Sequence, residues 1–136
     1  MSIELSDRRR FGACASFKVS APATAGAGNL DLLGGTSGEK YVVPSANGSI
    51  VGLSVYRFGG DGPTAGLLTL TATVNTAGTT ATVPILAAAP TSNTARFVPA
   101  QIPFSAGQPL GIDWSTDESW DGTGNYVATL FFEMEV

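Results

Sequence analysis

The clearest signal along the chain is period-2 alternation. Between Leu67 and Val74, Leu68, Leu70, Ala72 and Val74 alternate with Leu67, Thr69, Thr71 and Thr73. Apolar and threonine-rich faces in strict alternation are the pattern of a half-buried antiparallel strand. Asn75-Thr-Ala-Gly78 turns the chain, and Thr79 to Leu86 returns as the partner of a hairpin, with Pro84 marking an edge position or a bulge. Ser49 to Phe58 is a second strand, with Ile50, Gly52, Ser54, Tyr56 and Phe58 on one face and Val51, Leu53, Val55 and Arg57 on the other. It ends at Gly59-Gly-Asp-Gly-Pro63, a turn signal. The last strand, Asn125 to Val136, sets Tyr126, Ala128, Leu130, Phe132, Met134 and Val136 against Val127, Thr129, Phe131, Glu133 and Glu135.

Shorter segments fill the rest. Phe11 to Val19 alternates through Phe11, Ala13, Ala15, Phe17 and Val19, followed by a loop rich in Ala, Gly, Pro and Thr. Tyr41–Val43, Thr94–Val98, Gln101–Phe104 and Pro109–Trp114 read as short strands, and no stretch carries the i, i+3, i+4 spacing of an amphipathic helix. About eight strands separated by turn signals predict an all-β, antiparallel β-sandwich of jelly-roll type, or a barrel. The expected organisation is a short extended N-terminal arm over residues 1–10 and a single domain over 11–136.

Composition sharpens this picture. The chain has 136 residues, enough for one core without staples. Apolar residues make up 43% and charged residues 13%, about half the roughly 25% usual for soluble domains. A surface so sparsely charged is either solvated by hydroxyls or covered in part by another molecule. The net charge of −4 argues against nucleic-acid binding by phosphate neutralisation. No apolar run approaches the ~20 residues of a membrane span, and the N-terminal residues lack the basic and apolar regions of a secretory signal. The expectation is a soluble chain made in the cytosol.

Candidate chemistry is thin. With no histidine, the commonest general base, the Ser-His and Cys-His nucleophiles and the commonest zinc ligand are all missing. Cys14 is the single cysteine, so an intrachain disulfide is excluded, and its apolar neighbours predict a buried structural thiol. Acidic residues gather at Asp113, Asp117, Glu118 and Asp121 around Trp114 and Trp120. Carboxylates beside aromatic rings suit a sugar site, a carboxylate-pair hydrolase or a loop calcium site, although Asp117 to Asn125 lacks EF-hand spacing. The structural alternative is a solvated loop whose tryptophans anchor its ends. No enzyme, no metal and no cofactor are expected. Asn47-Gly-Ser49 matches a glycosylation sequon but reads as a tight turn.

Arg8-Arg-Arg10 is the one run of like charge. It suits docking on an acidic protein surface, with phosphate or a solvated terminus as alternatives. Arg8, Arg9, Arg10, Trp114, Asp117, Glu118 and Trp120 are therefore the candidate partner-binding residues.

The stretch Ile102-Pro-Phe-Ser-Ala-Gly-Gln-Pro-Leu-Gly-Ile-Asp-Trp-Ser-Thr-Asp-Glu-Ser-Trp120 is an apolar strand followed by a polar loop. With the alternating Asn125–Val136 strand and Val43-Pro-Ser-Ala-Asn-Gly-Ser-Ile-Val-Gly-Leu-Ser-Val55, it resembles small jelly-roll virion proteins of tailed bacteriophages. That resemblance covers about two-thirds of the chain. It implies a domain that commonly trimerises, as a capsid decoration (cement) protein on the head or as a module of tail fibres and tail tips. It carries no catalytic residues. The absence of heptads or repeats favours decoration. The implied partners are the major capsid protein or another virion protein and further copies of the chain, with no nucleic acid and no membrane, and the implied location is the virion. The alternative is a receptor- or carbohydrate-binding module presenting Trp114, Trp120, Tyr126 and the acidic loop.

Overall fold

The computed structural model describes residues 10–20, 26–35, 38–59, 65–86, 95–120 and 125–135. It contains nine strands: β1 (Arg10–Ser20), β2 (Ala27–Asn29), β3 (Asp31–Leu32), β4 (Gly48–Gly59), β5 (Leu67–Val74), β6 (Ala77–Leu86), β7 (Ala95–Phe104), β8 (Leu110–Thr116) and β9 (Asn125–Glu135). They form two antiparallel sheets, β3-β1-β9-β4-β7 and β2-β8-β5-β6. Without the two-residue β3, the first of eight strands pairs the last (β1–β9), the second pairs the seventh (β2–β8), the third the sixth (β4–β7) and the fourth the fifth (β5–β6). A long hairpin rolled up in this nested order is the jelly roll.

The core lies between the two inner faces. Phe17 and Val19 from β1, Ile50, Leu53 and Val55 from β4, and Ala128, Leu130 and Phe132 from β9 meet Leu68, Leu70, Ala72, Val83, Leu110 and Ile112 of the opposite sheet. Burying a side chain of this kind contributes about 1.5–3 kcal/mol, and the faces read from alternation in β5 and β9 are the buried ones. Phe104 and Phe132 pack edge-on, with ring centroids 6.0 Å apart. The β5–β6 hairpin forms as expected. Its two turn residues, Asn75 (φ 53°) and Thr76 (φ 68°), both take the left-handed conformation that suits a type I′ connection. Pro84 lies on β6, the edge strand of its sheet.

Several expectations need correction. Val42 forms only an isolated bridge to Leu110, so Tyr41–Val43 is not a strand. The segments around Thr94–Val98 and Gln101–Phe104 merge into the continuous β7, because a bulge opposite Ile50 and Gly52 absorbs the break between them. Ala27–Asn29 and Asp31–Leu32 pair although they lie where a loop was expected. A bulge at Val51 also reverses the alternation within β4. As a result, Ile50 shares the inner face with Leu53, Val55 and Arg57 instead of with Ser54 and Tyr56. Arg10, the last residue of the expected arm, is the first residue of β1 and pairs with Glu135. Residues 1–9 lie outside the described residues. Cys14 is exposed, not buried, because it occupies the outward row of β1 opposite Phe131.

Candidate functional site

The loop after β8 is built around Asp117. Its N–H donates to the Leu67 carbonyl at 3.2 Å, its Oδ1 accepts from the Ser119 N–H at 3.0 Å, and its carbonyl accepts from the Trp120 N–H at 3.3 Å. This Asx-type turn exposes Asp117, Glu118 and Ser119 and directs the chain inward, so that Trp120 is buried at 1% exposure. Its backbone rests on Gly66, where a Cβ would lie 2.3 Å from the Trp120 nitrogen and where φ is +83°. Trp120 is therefore a core anchor that offers no ring face to a partner. Tyr126 is likewise 3% exposed, opposite Arg57 on β4. Burial pushes the Tyr126 hydroxyl pKa up, and the Arg57 charge partly offsets this. Trp114 is half-buried near the end of β8. Of the three rings expected to present a glycan platform, two are inside the sandwich.

Asp113 stands apart from Asp117 and Glu118. It lies on the outer face of the four-stranded sheet, between Asn29 of β2 and Thr71 of β5. Its Oδ1 is covered and has no hydrogen-bond partner among the described residues, and desolvation raises its pKa above the usual carboxylate value. No cluster of three potential metal-ligating side chains occurs among the described residues, while 121–124 of the proposed calcium loop lie outside them.

Alternation singled out the other face of β9 but gave it no role. The outer face of the five-stranded sheet is apolar at its centre. The Phe97 ring of β7 meets the Phe131 ring of β9 edge-on at 5.9 Å, with Gly52 of β4 beneath. Phe97 is 57% exposed and Tyr56 41%, with half-buried Val51 and Val127 beside them. Hydroxyls continue the surface, including a Ser16–Thr129 contact at 3.0 Å. Among the described residues, charge on this face lies toward β1, where Arg10 pairs with Glu133 of β9 at 3.2 Å and exposed Lys18 stands opposite Asp31 of β3. The signal for this surface was Phe131 and Val127 on the nominally wet face of the last strand.

Arg10, Trp114, Asp117 and Glu118 are thus not gathered into one site. Arg10 lies on the five-stranded sheet, whereas the other three belong to β8 and the loop following it. Arg8 and Arg9 lie outside the described residues.

No family model and no curated protein matches the sequence. Among solved structures, a chain of the acidic stable capsid of Helicobacter pylori bacteriophage KHP30 has the same fold. The TM-score is 0.53 at 16% identity, and the match covers 95% of this chain and 98% of that one. Looser matches come from infectious bursal disease virus strain Gt (TM-score 0.39, 13% identity) and from the Macrobrachium rosenbergii extra small virus particle (TM-score 0.38, 15% identity). Each covers 93% of this chain, but the chain spans only 36% and 78% of theirs.

Proposed function

We propose that this jelly roll is a structural, non-enzymatic protein of a bacteriophage virion: a capsid decoration protein that binds the assembled head and stabilises it, as a homotrimer. The observation that carries the reading is the outer face of the five-stranded sheet, where Phe97, Phe131 and Tyr56 form an exposed apolar surface on a chain with little charge elsewhere. A surface of this kind is a contact surface. The match that accounts for nearly the whole of a chain in a phage capsid structure supports the same reading. A domain that binds the assembled shell and not its separated subunits stabilises the shell by mass action, without any chemistry. The burial of Trp120 and Tyr126 weighs against the tail-borne glycan-binding alternative.

The test is binding to purified expanded phage heads that lack the protein. Saturable, symmetric occupancy and a higher temperature of shell failure are expected, and light scattering should give the mass of three chains in solution. Binding to glycans or host cells with none to shells would overturn the reading.

A further inference from the structure

Along β8, Leu110 and Ile112 point into the core, so Gly111, Asp113 and Ser115 form the row that faces outward from the four-stranded sheet. Strand pairing sets Asn29 and Thr71 on either side of Asp113, and Ala27 and Thr69 on either side of Ser115. At the other end of the row Tyr41 lies over Gly111, its Cδ1 2.9 Å from where a Cβ would be. The Tyr41 hydroxyl accepts a hydrogen bond from Asn29 Nδ2 at 2.6 Å. Between these groups the sheet surface sinks into a hollow of about 490 Å³, lined by Ala27, Asn29, Thr71, Gly78, Asp113 and Ser115.

The polar neighbours of Asp113 across the strands are neutral. Its carboxylate takes part in no ion pair and no hydrogen bond among the described residues, and Oδ1 is covered as well. The cation beside this row is committed elsewhere. Lys40, whose carbonyl approaches Gly111 from the same side as Tyr41, directs its ammonium to Asp31 at 2.7 Å. A carboxylate partly withdrawn from water with no donor in reach is destabilising, and a native fold keeps few such groups without a use for them.

The surroundings define what is missing. A carboxylate only accepts, and the hydroxyls of Thr71 and Ser115 are free to accept too, so the hollow is short of donors and of positive charge. A guanidinium supplies both, with five N–H groups in a planar fork that matches a carboxylate. A sugar hydroxyl brings no charge, and an ammonium brings no fork. The hollow is open where Ala27, Gly78 and Ser115 are exposed, so a free small molecule would keep much of its surface in water. The group therefore arrives on a larger body. Among the described residues Arg10 is paired with Glu133 on the other sheet and Arg57 is buried, which points away from a second copy.

We propose that this hollow receives an arginine side chain of a partner protein, whose guanidinium donates to Asp113 and to the hydroxyls of Thr71 and Ser115. The inference goes beyond shell binding and stands on the hollow alone.

The probe is a capped Gly-Gly-Arg-Gly-Gly peptide, compared with its citrulline and lysine counterparts and followed by amide NMR on the full chain. Citrulline keeps the shape of arginine and loses the charge. The arginine peptide should shift the Asn29, Thr71, Asp113 and Ser115 amides saturably and bind about tenfold more tightly than either counterpart. Asp113→Asn should keep the fold and lose that preference. If the variant fails to fold, a pH titration of wild type decides. Asn29, Thr71 and Ser115 do not titrate, so binding should weaken as pH falls through the carboxylate range and Asp113 takes up its proton. Equal binding of the citrulline peptide overturns the proposal, as do equal binding of the lysine peptide, shifts confined to another surface, and no saturable shift at all. Self-association that Asp113→Asn abolishes would also overturn it, by identifying a second copy as the occupant. Failure of phage heads to bind the protein would remove the decoration reading and leave this one standing.

Discussion

The ring of Phe97 lies over Gly52, the glycine of the neighbouring strand, so closely that a Cβ there would sit 2.3 Å from the ring. The glycine and the β4 bulge beside it let the ring lie flat enough to meet Phe131. Gly52→Ala should lift Phe97 off the sheet and break the aromatic pair, lowering stability by about 1 kcal/mol. Phe97→Ala should leave the core untouched and melt within a few degrees of wild type, yet weaken association with shells. Calorimetry and shell-binding isotherms on both variants separate the two effects.

Thr76 holds φ 68° in the β5–β6 turn, a conformation unfavourable for a β-branched residue. Asn75 before it tolerates the left-handed region, and an Asn-Gly pair is the preferred type I′ sequence. Thr76→Gly should therefore stabilise the domain by about 0.5–1 kcal/mol, read as a rise of a few degrees in Tm. Thr76→Val, which retains the β-branch, should show no such gain.

Gly66 and Trp120 form the opposite case, because backbone meets backbone and neither can yield. Gly66→Ala should destabilise by about 3 kcal/mol, on the order of 10 °C in Tm, and Trp120→Ala by about 3–5 kcal/mol through the cavity it leaves. Glu118→Ala, on the exposed part of the same loop, should change stability by less than about 0.5 kcal/mol. A large loss from Glu118→Ala in thermal melts would contradict this division.

Asp113 makes stability depend on pH. Its carboxyl is partly desolvated and its folded pKa is raised, so the folded state holds this proton more tightly than the unfolded chain does. The stabilising contribution of the protonated form is complete below the ordinary carboxyl value of 3.8 and is lost as pH rises through the folded pKa. Asp113→Asn should melt at or above the wild-type temperature at pH 7, and the difference should shrink as pH falls through the carboxylate range. A wild-type advantage at pH 7 would show that the carboxylate gains a partner in solution.

The elements legible in the sequence were those whose burial repeats every second residue: the β5–β6 hairpin, the inner row of β9, and Pro84 as an edge marker. β2 and β3 escaped because Ala27, Gly28 and Asn29 have little strand preference and are held by backbone bonds to β8, a partner remote in sequence. The β4 faces were misassigned because nothing local announces the extra residue at Val51. Cys14 could have been placed correctly, since the alternation of Ala13 and Ala15 already set it on the opposite face. The depth of Trp120 had no local signal, as it depends on the Asp117 turn and on the space above Gly66.

The nested pairing has a kinetic consequence. β9 sits at the centre of its sheet, between β1 and β4, and joins Arg10 to Glu135. Only β5 and β6 can pair through a short loop, while every other pairing closes a longer stretch of chain. Loop closure on this scale belongs to the slow, milliseconds-to-seconds range of folding. A nascent chain that ends before β9 has the strands of one sheet but a five-stranded sheet without its middle. Assembly of the sandwich is therefore deferred until synthesis has passed β9, and the apolar strands made before it must stay apart until then.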